Sequence, residues 1–161
     1  MKNIRPARQE DHSKIIEIWH DGWHDAHSHL VPDSILEFRK IEHFWLWLGC
    51  SNDQFFVATK DDSVVGFVTT KKAELEKLYV ASSARGTGIA AILLAFGEQR
   101  LADSGISDAL LYCTAGNIRA QKFYCREGWI LGDTFSDALW FPDEENNTVF
   151  VDTHRFEKHL D

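Results

Sequence analysis

The chain predicts an α+β fold built on a mixed, mostly antiparallel sheet, on three observations. The apolar residues switch from helical steps to strand alternation and back, several strands follow one another in the middle of the chain, and one helix separates two apolar strands. The last pattern implies a single parallel contact, because a parallel pair needs a crossover. With 161 residues, the chain is long enough for one well-packed domain and too short for two, so residues 1–161 are read as a single domain.

The elements follow in order. A short strand around Asn3 to Arg5 opens the chain. Asp11 is placed to cap a helix whose Ile15, Ile18, Trp19 and Trp23 form an apolar stripe. Pro32, Asp33 and Ser34 start a second helix carrying Ile35, Leu36, Phe38, Ile41, Phe44, Trp45 and Leu48, and Gly49 ends it. Gln54 to Lys60 and Ser63 to Lys71 read as strands joined by a tight hairpin at Asp61-Asp62. Ala73 to Val80 alternates, which puts Glu74, Glu76, Leu78 and Val80 on one face and Leu75, Lys77 and Tyr79 on the other.

Helical spacing returns at Ile89, Ile92, Leu93 and Phe96 and ends near Ser104-Gly105. Ala109 to Thr114 is a strand, and Asn117 to Glu127 a short helix stopped by Gly128. Trp129 to Phe135 and Thr148 to Phe156 form a closing strand pair around the loop Pro142 to Asn147. The order β, α, α, β, β, β, α, β, α, β, β contains no repeat or low-complexity tract.

Hydrophobic residues at 44% and charged residues at 26% are ordinary for a soluble protein. No apolar run is long enough to cross a bilayer and no signal peptide is visible, so a cytoplasmic location is expected. Lys and Arg number 17 against 25 Asp and Glu, a formal net charge of −8, which argues against nucleic acid or an anionic membrane as partner. An anionic ligand must then be held by local geometry. Cys50, Cys113 and Cys125 are an odd number without metal-site spacing and read as structural thiols in a reducing compartment.

The most informative segment runs from Leu78 to Ala90, an apolar strand joined to a helix through a turn that contains Gly86 and Gly88. The first N–H groups of a helix lack partners within it and sum to partial positive charge, glycines let phosphate oxygens approach the backbone, and Arg85 adds a cation at the rim. Gly86-Thr87-Gly88-Ile89-Ala90-Ala91 also satisfies the dinucleotide pattern G-x-G-x-x-A, but its context does not. Four residues separate Val80 from Arg85, the upstream strands are consecutive, and Asp108 precedes the next strand instead of closing it.

Two motifs resemble those of the GNAT N-acetyltransferases, which move an acetyl group from acetyl-coenzyme A to an amine. The family's Q/R-x-x-G-x-G/A corresponds to Arg85 through Ala90, and its N-x-x-A-x-x-F-Y-x-x-x-G-F/W to Asn117 through Trp129. With the element order, the resemblance covers nearly the whole chain and implies a GNAT-like sheet flanked by helices. Ser82 stands where many relatives have proline, and the first two helices match only loosely.

The resemblance implies acetyl-CoA as co-substrate. Backbone N–H groups of Arg85, Gly86, Thr87, Gly88, Ile89 and Ala90 would hold the diphosphate, the strand at Leu78, Tyr79 and Val80 would pair with the pantetheine arm, and Asn117 and Tyr124 would contact the cofactor. Only a neutral amine attacks a thioester, so a base is needed; Glu74 is the first candidate and Glu76 the second. Tyr124 is the candidate acid for the departing thiolate, and the Val80 N–H a candidate oxyanion donor. No metal is required.

His20, His24, His27 and His29 sit near the end of the first helix, and two of their pairs have metal-ligand spacing, but supporting carboxylate or cysteine ligands are missing. Trp23, His24, Asp25 and His27 are instead expected to receive the acceptor, an amine of a small molecule or a peptide. The competing class is a nonenzymatic acyl-CoA binding or sensing module, which would need neither Tyr124 nor a base. A homodimer through the last strands is left open.

Overall fold

The computed structural model describes residues 3–143 and 149–161. The strands are β1 (Asn3–Pro6), β2 (Gln54–Lys60), β3 (Ser63–Lys71), β4 (Glu74–Val80), β5 (Asp108–Thr114), β6 (Ile130–Ala138) and β7 (Phe150–His159), and they form one seven-stranded sheet in the order β1-β2-β3-β4-β5-β7-β6. The helices are α1 (His12–His27), α2 (Asp33–Leu36), α3 (Ile41–Cys50), α4 (Ile89–Asp103) and α5 (Ile118–Arg126). All strand pairs are antiparallel except β4–β5, which α4 connects. This is the mixed sheet that the element order predicts.

Each face of the sheet carries its own core. On one side α1 and α3 pack Ile15, Trp19 and Phe44 against Val57 and Phe67; on the other α4 packs Leu93 and Leu94 against Val68, Leu75, Leu111 and Phe156. Fully burying a side chain of this size contributes roughly 1.5–3 kcal/mol. The β2–β3 hairpin forms where Asp61-Asp62 places it, and both residues have positive φ, 51° and 63°, as a two-residue turn matched to the strand twist requires. Of the predicted closing pair, Thr148 and the loop residues 144–147 lie outside the described residues.

Three local expectations are corrected. Asp11 does not cap α1: its carboxylate accepts two hydrogen bonds from the Arg5 guanidinium, at 2.7 and 3.0 Å, and one from the Arg8 N–H at 2.7 Å. A charged partner outcompetes the helix amides, and Arg5 holds the carboxyl below its ordinary range. The single helix read from Pro32 to Leu48 is two helices, broken over residues 37–40, where Lys40 turns extended (φ −86°, ψ 164°). The break lets the Arg39 side chain, 1% exposed, reach the interior, and α3 continues through Gly49 to Cys50.

The third correction matters most for function. β3 and β4 pair Thr69 with Lys77 but Thr70 with Leu75, so Glu76 is an extra, bulged residue. The bulge reverses the phase of the alternation. Leu75 joins Leu78 and Val80 on the α4 side, while Lys77 and Tyr79 face α1.

Candidate active site

β4 and β5 touch only where they begin. Glu74 is paired with Leu110, whose N–H donates to the Ala73 carbonyl at 3.0 Å, and the strands then separate. A cleft of about 620 Å³ opens between Glu76–Val80 on one strand and Tyr112–Thr114 on the other. α1 adds Gly22, Ala26 and His27 to its wall, and α5 adds Asn117, Ala120, Phe123 and Tyr124. Gly22 allows the close approach of α1, since a Cβ there would stand 2.6 Å from the Tyr79 ring. Splayed strands leave backbone groups of β4 available to an extended ligand that pairs as an added strand would.

At one end the cleft meets the glycine turn. Gly86 and Gly88 have φ of 76° and 82°, and beyond their chain neighbours no heavy atom of the described residues lies within 4 Å of the Cβ that either would carry. Gly88 is the N-cap of α4, so the free amides of the first helical turn open on this space, which is lined by Ala84, Arg85, Gly86, Gly88, Ile89 and Ala90. The Thr87 hydroxyl donates to the Ala84 carbonyl and closes the turn; Thr87 is the one predicted cofactor residue that does not line the cleft. Asn117 caps α5, its side chain accepting from the Ala120 N–H at 3.4 Å, and it lines the cleft as well. Arg85 is paired with Asp25 at 2.8 Å, and Arg119 reaches the same carboxylate oxygen at 3.3 Å. These contacts, with Arg85 the larger influence, hold the Asp25 carboxyl below its usual range.

The other part of the cleft gathers titratable side chains. Tyr124, from α5, has its phenol pushed up by burial and then by Cys113 and Tyr79, so it stays protonated well above neutral pH. Burial likewise raises Tyr79, against the opposing field of Arg39, and pushes the Cys113 thiol up to about 12, which leaves it a poor nucleophile. His27 is driven down to about 4, mainly by burial, and is neutral at physiological pH. Glu76 lines the cleft with one buried oxygen, Oε2, that has no hydrogen-bond partner among the described residues. Glu74 does not line it among the described residues; burial, and then Glu76, push its carboxyl up to about 7.

Of the four residues expected to face the acceptor, only His27 stands on the wall of this cleft. Trp23 is 4% exposed and belongs to the core, with the Arg39 guanidinium 5.0 Å from its ring centre. His24 Nε2 lies 2.6 Å from the Arg39 carbonyl. Asp25 lines a smaller adjoining cavity and is engaged by its two arginines. The helical spacing identified the right helix but not the rotation that its Trp19–Phe44–Trp47 packing imposes.

Sequence reasoning missed Arg39 and the pair Lys77–Asp53. Arg39 is enclosed by the rings of Trp23, Trp47 and Trp140, at 5.0, 5.0 and 5.7 Å, and burial draws its pKa down to about 10. It donates to the carbonyls of Phe38 and Trp140. Lys77 Nζ lies 2.9 Å from Asp53 Oδ2 and 3.5 Å from Glu76 Oε1. The one available signal was that Lys77 shares a strand face with apolar neighbours.

A glycine cradle at a helix N-terminus, set beside a gap between diverging parallel strands, has the shape to accept an extended, phosphate-bearing ligand. The sequence profile of the Acetyltransferase (GNAT) family matches residues 13–129, and the chain belongs to that family. It is 36% identical over 86 residues to a mycothiol acetyltransferase of Streptomyces bingchenggensis (strain BCW-1), covering 50% of this chain and 28% of that protein. A mycothiol acetyltransferase of Parafrankia sp. (strain EAN1pec) is 30% identical over 98 residues, covering 47% of this chain and 30% of that protein. The chain thus spans less than a third of the length of these relatives.

Among solved structures, a GCN5-related N-acetyltransferase from Rhodopseudomonas palustris superposes with a TM-score of 0.78 at 16% identity, covering 99% of this chain and 96% of that one. The PaiA N-acetyltransferase of Thermoplasma acidophilum, solved with coenzyme A, gives 0.72 at 23% identity, covering 99% of both chains. At these identities the likeness shows the fold.

Proposed function

We propose that this protein is an acetyl-CoA-dependent N-acetyltransferase that transfers the acetyl group to a primary amine of a small molecule or a peptide, by direct attack on the thioester. The observation that carries the reading is that the cleft joins the glycine cradle at one end to a protonated phenol and an unpartnered carboxylate oxygen at the other. The family supports acetyl transfer, and the Thermoplasma acidophilum structure was solved with coenzyme A.

In this reading the amides of Gly86 to Ala90 hold the diphosphate, and β4 from Leu78 to Val80 aligns the pantetheine arm. The acceptor ammonium gives one proton to a glutamate, the freed nitrogen lone pair forms the new C–N bond as the carbonyl π pair moves to oxygen, and the C–S bond breaks as that pair re-forms the carbonyl. Tyr124 protonates the leaving thiolate. The cycle closes when the phenolate takes up the second proton that the acceptor nitrogen sheds and the glutamate releases the first to water. Glu76 is the better placed of the two candidate bases because it stands on the cleft wall, whereas Glu74 would have to act through water. Glu76→Gln is therefore expected to lower kcat by about 100-fold, the scale of general-base catalysis, and Glu74→Gln by less than about 10-fold. Equal losses in steady-state assays would return Glu74 to the first position.

The direct test is a panel of primary amines, including diamines, amino sugars, amino acids and short peptides, assayed for acetyl-CoA-dependent release of coenzyme A and for the acetylated product. Turnover with at least one amine is the expected result. Tight acetyl-CoA binding with no transfer to any acceptor would favour the nonenzymatic binding module instead.

A further inference from the structure

We infer that Lys77 and Asp53 are a positioning pair for Glu76, fixing the orientation and charge of the base that takes the amine proton; this rests on the acetyltransferase reading above. The Lys77 and Asp53 side chains are 7% and 1% exposed, and the ammonium also sits 5.2 Å from the Trp19 ring centre. A buried ion pair is a poor way to gain stability, because desolvating both charges offsets their attraction, so its presence beside the cleft calls for another role. Lys77 is also incompletely satisfied by Asp53 alone. Its Nζ lies between Asp53 Oδ2 at 2.9 Å and Glu76 Oε1 at 3.5 Å, while Asp53 Oδ1 and Glu76 Oε2 are both buried without a partner among the described residues.

The geometry assigns each group a part. Asp53, on the connection from α3 to β2, anchors the ammonium; the ammonium holds one Glu76 oxygen; the other oxygen is left as an acceptor for an incoming donor. The bulge makes the arrangement possible, since it brings consecutive residues, Glu76 and Lys77, within reach of each other instead of on opposite faces. Glu74 on the same strand feels both Glu76 and Lys71 of β3, and the titratable groups that share the cleft wall with Glu76 and Lys77 are His27 on α1, Tyr79 on β4, Cys113 on β5, Tyr124 on α5 and the cations Arg85, Arg119, Lys122 and Arg126. His27, Cys113 and both tyrosines are neutral at working pH, and Lys77 is the cation in contact with the Glu76 carboxylate among the described residues.

Two substitutions on the two sides of this contact should act in opposite directions. Lys77→Met removes the cation that touches the Glu76 carboxylate, so the acid limb of the kcat/KM profile is expected to move up by about one pH unit. Asp53→Asn is isosteric and leaves the ammonium to Glu76 alone, so the acid limb moves down. Both profiles are measured with one amine acceptor, whose own ionisation is common to all proteins and cancels. Acetyl-CoA affinity by calorimetry should stay within about twofold.

A structural strut linking β4 to the α3–β2 connection would lower stability and kcat but would not move the acid limbs apart. Unmoved limbs, or limbs that move together, overturn the pairing while leaving acetyl transfer intact. Should Lys77→Met fail to fold, Asp53→Asn decides alone: a downward shift supports the inference and an unmoved limb overturns it. Absence of turnover by the unsubstituted protein with every amine overturns the functional reading itself.

Discussion

Gly88→Trp is expected to abolish measurable acetyl-CoA binding while leaving the protein folded. The Cβ position at Gly88 meets no atom within 4 Å, so an added indole is directed into open space beside the helix amides and not into the core. A diphosphate displaced from those amides loses several charge-assisted hydrogen bonds. Two of them, at roughly 1.5–3 kcal/mol each, already correspond to a loss of about 100-fold or more in affinity. The φ of 82° adds strain for any side chain, about 1–2 kcal/mol, which a domain of this size can carry. Gly88→Ala separates the two effects, because it brings the strain with little of the bulk and should bind acetyl-CoA more tightly than the Trp variant. Calorimetric titration checks both, with circular dichroism as the control for folding. Unchanged affinity in the Trp variant would mean that the diphosphate does not use this cradle.

Tyr124→Phe is the second large effect, a fall in kcat of about 100-fold or more with little change in the KM for acetyl-CoA. The hydroxyl bonds to no other described residue, and its ring packs against Trp129 and Phe156 through contacts that phenylalanine keeps. Stability should therefore not move. The direction follows from the charge of the leaving group: a phenol held protonated can donate to a thiolate, and a benzene ring cannot. Rapid-quench measurement of the chemical step is the cleanest check, since slow product release would mask part of the loss. Full activity in the Phe variant removes Tyr124 from the mechanism.

Much of this was legible in the chain because local chemistry decided it. Asp61-Asp62 could only be a tight hairpin between two β-rich runs, and Gly86 with Gly88 marked a turn that needs positive φ in both. The Asn117–Trp129 motif delivered a capped helix with Tyr124 on the cleft. What failed depended on tertiary contacts. Nothing in Glu74-Leu75-Glu76-Lys77 signals a bulge, since the segment alternates cleanly, and the missing phase change put Leu75 on the wrong face. Ile35, Leu36, Phe38 and Ile41 continue a helical spacing across the break over residues 37–40, because that break is held by Arg39 and not by a local stop residue. Trp23 and His24 suit a ligand wall by their sequence, since aromatic and imidazole groups attract a cation, while the cation that Trp23 faces is the chain's own.

Arg39 also bears on how the molecule is made. Its guanidinium donates to the carbonyl of Trp140, a residue 101 positions further along the chain. During synthesis the N-terminal layer therefore leaves the ribosome long before its clasp exists, and Trp23 and Trp47, close to Arg39 in sequence, must wait for Trp140 around a charge that water would otherwise keep. Closing so long a loop is slow, which makes this latch a late event in folding and ties the ripening of the first forty residues to the arrival of the last strands.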